Sequence, residues 1–133
     1  MKSRYEGFSP LIIAPVIATS GEMEAGTIDC RNLDKILITA KVTFNASGTI
    51  DATVKLLYSP DGKNYDTIVF GSLTVTKTTG ESVQVSKLFD VPDTGWIKIV
   101  ISNGDESYTI TNIFCWASVI YKFIADRQTQ ATT

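Results

Sequence analysis

The feature that most constrains this chain is its load of β-branched side chains: 15 isoleucines, 10 valines and 17 threonines, close to a third of 133 residues. Two heavy atoms on Cβ restrict χ1, which costs rotamer freedom in a helix and little on a pleated strand. No stretch carries sustained helical periodicity with a cap at each end. An all-β fold is therefore expected, and the length fits one domain able to bury its own core.

Alternation with period two supports this. In Asp34–Phe44, residues Ile36, Ile38, Ala40, Val42 and Phe44 fall on one side, and Leu37, Thr39, Lys41 and Thr43 on the other. One face is buried and one is mostly wet. Ala52–Ser59, Glu81–Phe89 and Trp96–Ser102 repeat the pattern, and shorter strands are expected at Thr27–Ile28, Tyr65–Phe70 and Leu73–Thr76. Polar turns separate them: Asn45-Ala46-Ser47-Gly48, Ser59-Pro60-Asp61-Gly62, Lys77-Thr78-Thr79-Gly80, Pro92-Asp93-Thr94-Gly95 and Asn103-Gly104-Asp105. Spacing of this kind predicts an antiparallel β-sandwich, jelly-roll or Ig-like, with a closed barrel as the second choice. The alternation further predicts that Ile36, Ile38, Val42, Phe44, Val54, Leu56, Val83, Val85, Ile97, Ile99 and Ile101 are buried.

The ends read differently. Lys2 and Arg4 precede an apolar run, Leu11–Ala18, which loosely resembles a secretory leader. Glu6, Pro10 and Pro15 argue instead for an extended arm over residues 1–20 that pairs or docks as a strand at a sheet edge, with a first strand at residues 11–18, since each proline removes a ladder donor. Residues 21–124 form the sandwich and 125–133 a polar tail. The last strand, from about Tyr108 to Phe123, is apolar on both faces: Ile113, Cys115, Ala117, Val119 and Tyr121 on one, Phe114, Trp116 and Ile120 on the other. Leu11, Ile12, Ile13, Val16 and Ile17 of the arm, with Phe114, Trp116 and Ile120, are thus the candidate interface. Deleting residues 1–20 should leave a folded but less associated protein.

Catalytic chemistry finds little to work with. There is no histidine, which removes the commonest general base and metal ligand. Cys115 sits among Phe114 and Trp116, a setting that raises a thiol's pKa, and Cys30 and Cys115 are expected as buried free thiols, with a disulfide as the alternative. The carboxylates fall in turns and at strand ends, where they bond nearby amides. Asp61–Asp66 lacks the EF-hand spacing, and Asn45-Ala46-Ser47 is a glycosylation sequon of low specificity. No enzyme activity, catalytic residue, metal or cofactor is expected. A net charge of −2 gives no electrostatic reason to seek nucleic acid or an anionic membrane. No run of 18 apolar residues marks a helical membrane span.

The segment Leu56-Leu57-Tyr58-Ser59-Pro60-Asp61-Gly62-Lys63-Asn64-Tyr65-Asp66 resembles a hairpin of the small β-sandwich structural and decoration proteins of tailed-phage virions. It is also similar to a hairpin of discoidin-like carbohydrate- and lipid-binding modules. The virion resemblance implies a structural role, with copies of itself and a capsid or tail lattice as partners and the virion as its location. The second resemblance implies an extracellular carbohydrate-binding or adhesion module. Tyr5, Phe8, Tyr58, Tyr65, Tyr108 and Trp96 are then the candidates for a sugar platform, with Tyr58 and Tyr65 expected to pack together.

Overall fold

The computed structural model describes residues 4–122 apart from Thr79, with the backbone alone for residues 4–16. Eight strands form: β1 (Arg4–Ile17), β2 (Glu22–Asp29), β3 (Leu33–Phe44), β4 (Ala52–Ser59), β5 (Gly71–Val75), β6 (Ser82–Asp90), β7 (Trp96–Asn103) and β8 (Ile110–Tyr121). They make two four-stranded sheets, ordered β1-β8-β3-β6 and β2-β7-β4-β5. Every paired neighbour is antiparallel. All but one connection crosses between the sheets, and the first and last strands lie side by side. That order is a jelly roll, which settles the choice between the two expected sandwich types.

The core lies between the sheets. β3 contributes Ile36, Ile38, Ala40, Val42 and Phe44; β8 contributes Ile113, Cys115 and Ala117. Facing them are Ala52, Val54 and Leu56 of β4 and Ile97, Ile99 and Ile101 of β7. Every residue the alternation assigns to the interior is buried except Val83 and Val85, which are half-buried. Both lie on β6, the outermost strand of its sheet. Among the described residues, no strand lies beyond β6.

Three elements depart from the sequence pattern. β2 is eight residues long rather than a fragment at Thr27–Ile28. A register shift between Glu24 and Gly26 breaks its alternation, as a bulge does. Tyr65–Phe70 is loop rather than strand. The amides of Lys63 and Asn64 donate to the Asp61 carboxylate, each at 2.8 Å. The amide of Gly62 donates to Ser59 Oγ at 2.8 Å. Side chains thus hold the turn, and the segment after it meets β4 through isolated backbone bonds, the Asp66 amide donating to the Tyr58 carbonyl at 2.8 Å and the Phe70 amide to that of Leu56 at 2.7 Å. Pairing with β4 begins only at Leu56↔Gly71.

The third departure is the arm. Arg4–Ile17 is the edge strand β1, paired with β8 from Arg4↔Tyr121 to Ile17↔Ile110. One of its two register shifts falls between Pro10 and Ile12, where a missing N–H costs least. The edge position follows from the prolines, but the strand starts at Arg4 rather than at residue 11 and is part of the sandwich. Deleting residues 1–20 strips β8 of a neighbour along its whole length, so the expectation of a folded truncated protein is withdrawn. The polar tail, residues 125–133, lies outside the described residues.

Candidate interaction surfaces

β8 is the central strand with two apolar faces. Its inward side chains join the core, while Phe114, Trp116 and Ile120 stand half-buried on the opposite face. The rings of Phe114 and Trp116 stack, with centroids 5.7 Å apart and planes 8° apart. On one side the register sets Trp116 beside Thr39 and Phe114 beside Lys41 of β3. On the other it sets Trp116 beside Pro10 and Phe114 beside Ile13 of β1. Further out the face turns polar, through hydroxyl pairs Thr39–Ser86 at 2.7 Å and Thr43–Ser82 at 2.6 Å. An ion pair joins Lys35 to Asp90.

The sequence candidates divide. Phe114 and Trp116 are brought together, and Ile120 lies two pairs along the same face, opposite Lys35. Ile12, Ile13 and Val16 pair in register with Cys115, Phe114 and Thr111, and Leu11 falls in the register shift. The side chains of Leu11, Ile12, Ile13 and Val16 lie outside the described residues. Ile17 is a correction: it is 2% exposed and belongs to the domain's own core, so no partner reaches it.

An apolar cluster that the strand assignment at Tyr65–Phe70 conceals sits on the β4–β5 loop. Ile68 is 82% exposed, and Val69 and Phe70 are exposed beside it. The signal was three consecutive apolar residues, which no alternating strand can direct into one core. Phe70 lies 6.3 Å from the Tyr58 ring, and the Tyr58 hydroxyl donates to the Thr94 carbonyl at 3.2 Å. On the outer face of the second sheet, Lys98 Nζ sits 4.6 Å from the centre of the Tyr65 ring. A cation over an aromatic face is stabilising. Trp96 packs beneath Gly62.

The carboxylates act on the backbone. The amides of Asn64 and Lys63, then the Asn64 and Ser59 side chains, hold Asp61 far below the usual carboxylate range. The amides of Thr49 and Ser107 lower that of Asp105. Asp29 is lowered by Arg31, which approaches it with two nitrogens. Burial, with Asp29 adding to it, pushes the Cys30 thiol up to about 11, and burial pushes Cys115 up to about 12. Both cysteines are free and buried. Among the described residues no group of three Cys, Asp or Glu side chains is placed to hold a metal.

One shallow cleft of about 280 Å³ is lined by Asp29, Arg31, Asn32 and Tyr121. It sits where the β2–β3 turn meets the end of β8. Tyr121 offers an exposed ring there, and Arg31 and Asp29 are paired with each other.

No family model and no curated sequence matches the chain. Solved structures match it in fold, and they include viral capsid proteins and carbohydrate-binding modules. A CBM4 carbohydrate-binding module shares 14% identity at a TM-score of 0.50, over 92% of this chain and 77% of that one. Dimeric latent PorU from Porphyromonas gingivalis shares 9% identity at 0.53, over 92% of this chain and 12% of PorU. VP2 of the infectious bursal disease virus subviral particle shares 13% identity at 0.49, over 90% of this chain and 33% of VP2. At such identities the likeness is one of β-sandwich fold alone.

Proposed function

We propose that this chain is a non-enzymatic structural protein of a virion, of the capsid-decoration or tail-associated kind. It works through assembly contacts with copies of itself and with a capsid or tail lattice. One observation carries this reading: the strand at the centre of a sheet presents a stacked Phe114–Trp116 pair on its outward face. Both rings are only half-buried, and apolar area left in water costs roughly 25 cal/mol per Å², so covering the remainder of the pair favours a contact surface there. The tailed-phage resemblance of the Leu56–Asp66 hairpin supplies the kind of partner. The candidate interface is then Phe114, Trp116 and Ile120 with the neighbouring β1 positions Leu11, Ile13 and Val16; Ile12 is paired with the core residue Cys115 and drops out.

The test is co-sedimentation of the chain with purified tailed-phage heads and tails. Phe114→Ser with Trp116→Ser should keep the cooperative melt and abolish co-sedimentation. A wild-type chain that binds neither particle refutes the reading.

A second reading, an extracellular carbohydrate-binding module, is favoured by the cleft in which the exposed Tyr121 ring lies beside Asn32 and the Asp29–Arg31 pair. An aromatic ring with a few fixed polar groups is what sugar recognition requires. Calorimetric titration with oligosaccharides, lost on Tyr121→Ala, would select this reading over the first.

A further inference from the structure

Each sheet has two edges, and three of the four are blunted. β1 carries Pro10 and Pro15 and two register shifts. β2 is bulged at Gly26 and rich in acids, and β5 is five residues long. β6 has none of these devices. It runs nine residues without proline and pairs in unbroken register with β3, from Lys35↔Asp90 to Thr43↔Ser82. A long regular edge is a template for another strand.

Its hydrogen bonding is fixed by its partner. The Phe44 amide donates to the Glu81 carbonyl, and the Val91 amide donates to that of Asp34. In an antiparallel ladder such bonded pairs fall at every second residue. Odd-numbered residues of β6 therefore bond to β3. Ser82, Gln84, Ser86, Leu88 and Asp90 turn their N–H and C=O groups to the open side.

We propose that β6 pairs antiparallel with β6 of a second copy of this chain, about a two-fold axis at Gln84, joining the two sheets into one. In that register Ser82 bonds to Ser86 of the copy, Val83 lies against its Val85, and Glu81 lies against its Lys87. The symmetry repeats each contact. The two valines are the predicted core residues left half-buried in the single chain, and the pairing covers both. The charges select the register. An inward-facing lysine normally guards an edge against pairing, and Lys87 is placed this way, donating to the Ser72 carbonyl at 3.1 Å. Only an opposing carboxylate relieves that guard. An axis at Lys87 sets two ammonium groups face to face. An axis at Val85 or Ser86 leaves Lys87 against a valine. The axis at Gln84 gives each Lys87 a Glu81.

The proposal concerns self-association alone and does not rest on the virion reading. Sedimentation velocity of the full chain over a concentration series should show a monomer–dimer equilibrium. Gln84→Pro removes an amide that β3 does not use, so the melt should stay put while the dissociation midpoint rises about tenfold or more. Glu81→Lys, at an exposed position, should weaken the dimer, and Glu81→Lys with Lys87→Glu should restore it. Gln84→Cys should form a disulfide-linked dimer on mild oxidation, and Leu88→Cys should not. The proposal is overturned by a wild-type chain that stays monomeric throughout, or by a folded Gln84→Pro variant that dimerises as tightly as wild type. A chain that fails to dimerise yet binds heads or tails refutes this pairing and leaves the virion reading standing; a dimer that binds neither does the reverse.

Discussion

Asn103, 1% exposed, closes one end of the sandwich. Its Nδ2 donates to the carbonyls of Ala18 at 3.0 Å and Tyr108 at 2.9 Å, and its Oδ1 accepts from the Asp105 amide at 3.1 Å. The Asp105 carboxylate accepts from Thr49, Ser107 and Tyr108. Two side chains thus tie the β1–β2, β3–β4 and β7–β8 connections together. Asn103→Ala leaves buried carbonyls unpaired and should cost about 1–3 kcal/mol in urea denaturation. The acid response follows from Asp61 and Asp105. Both pKa values are depressed from the ordinary 3.8 in the folded chain. Their contribution is therefore complete above about pH 4 and lost as pH falls through the folded values. The thermal midpoint should hold through neutral pH and drop in acid, and Asp61→Asn with Asp105→Asn should start lower and drop less. The sequence shows Asn103-Gly104-Asp105 as a turn. It does not show the node, because Ala18 and Thr49 are remote in the chain.

Strands were legible wherever one face met the core and the other met water. β3, β4 and β7 follow their alternation almost residue by residue. The edge strand β2 was not, because only one of its eight residues is buried, whereas the edges β5 and β6 kept enough alternation to be read. β8 was legible as anomalous, and the stacked pair on its outer face is the reason. Gly95 shows how tightly the elements meet. Its φ is +81°, and a Cβ there would lie 2.4 Å from Tyr58 Oη and 2.6 Å from the Ser59 carbonyl oxygen. Gly95→Ala combines left-handed strain with a clash against β4 backbone, so chemical denaturation should show a loss of at least about 1–3 kcal/mol. Thiol chemistry belongs to this scale too, since β8 buries Cys115 and the end of β2 buries Cys30. With thiols raised to about 11 and about 12, the thiolate fraction at pH 8 is below roughly one in a thousand. Ellman's reagent should find no reactive thiol in the native chain and both after denaturation. One fast-reacting native thiol contradicts the burial.

At the scale of the whole molecule, the fold class was written in composition and alternation, but the strand order was not. Alternation reports which residues face inward; it carries no information on which strand lies beside which. That order has a kinetic consequence. β8, the last strand, sits between β1 and β3, so one sheet cannot close until the end of the described chain has joined its beginning. Loop-closure entropy must be overcome before such long-range pairs return any stabilisation, and β-sandwiches of this kind refold in about milliseconds to seconds. The two tryptophans report separate sheets, Trp96 on β7 and Trp116 on β8. In stopped-flow refolding, Trp116 followed in a Trp96→Phe background should change with the same rate constant as Trp96 followed in a Trp116→Phe background. Neither sheet is expected to form alone, because each buries its inner face only against the other. Ending the chain after Thr109 removes β8 and should leave no cooperative melt, since β1 loses its sheet neighbour and β3 is left with β6 alone. A fragment of residues 1–109 that melts cooperatively, or two tryptophans that report clearly different rates, would show that the second sheet folds without the first.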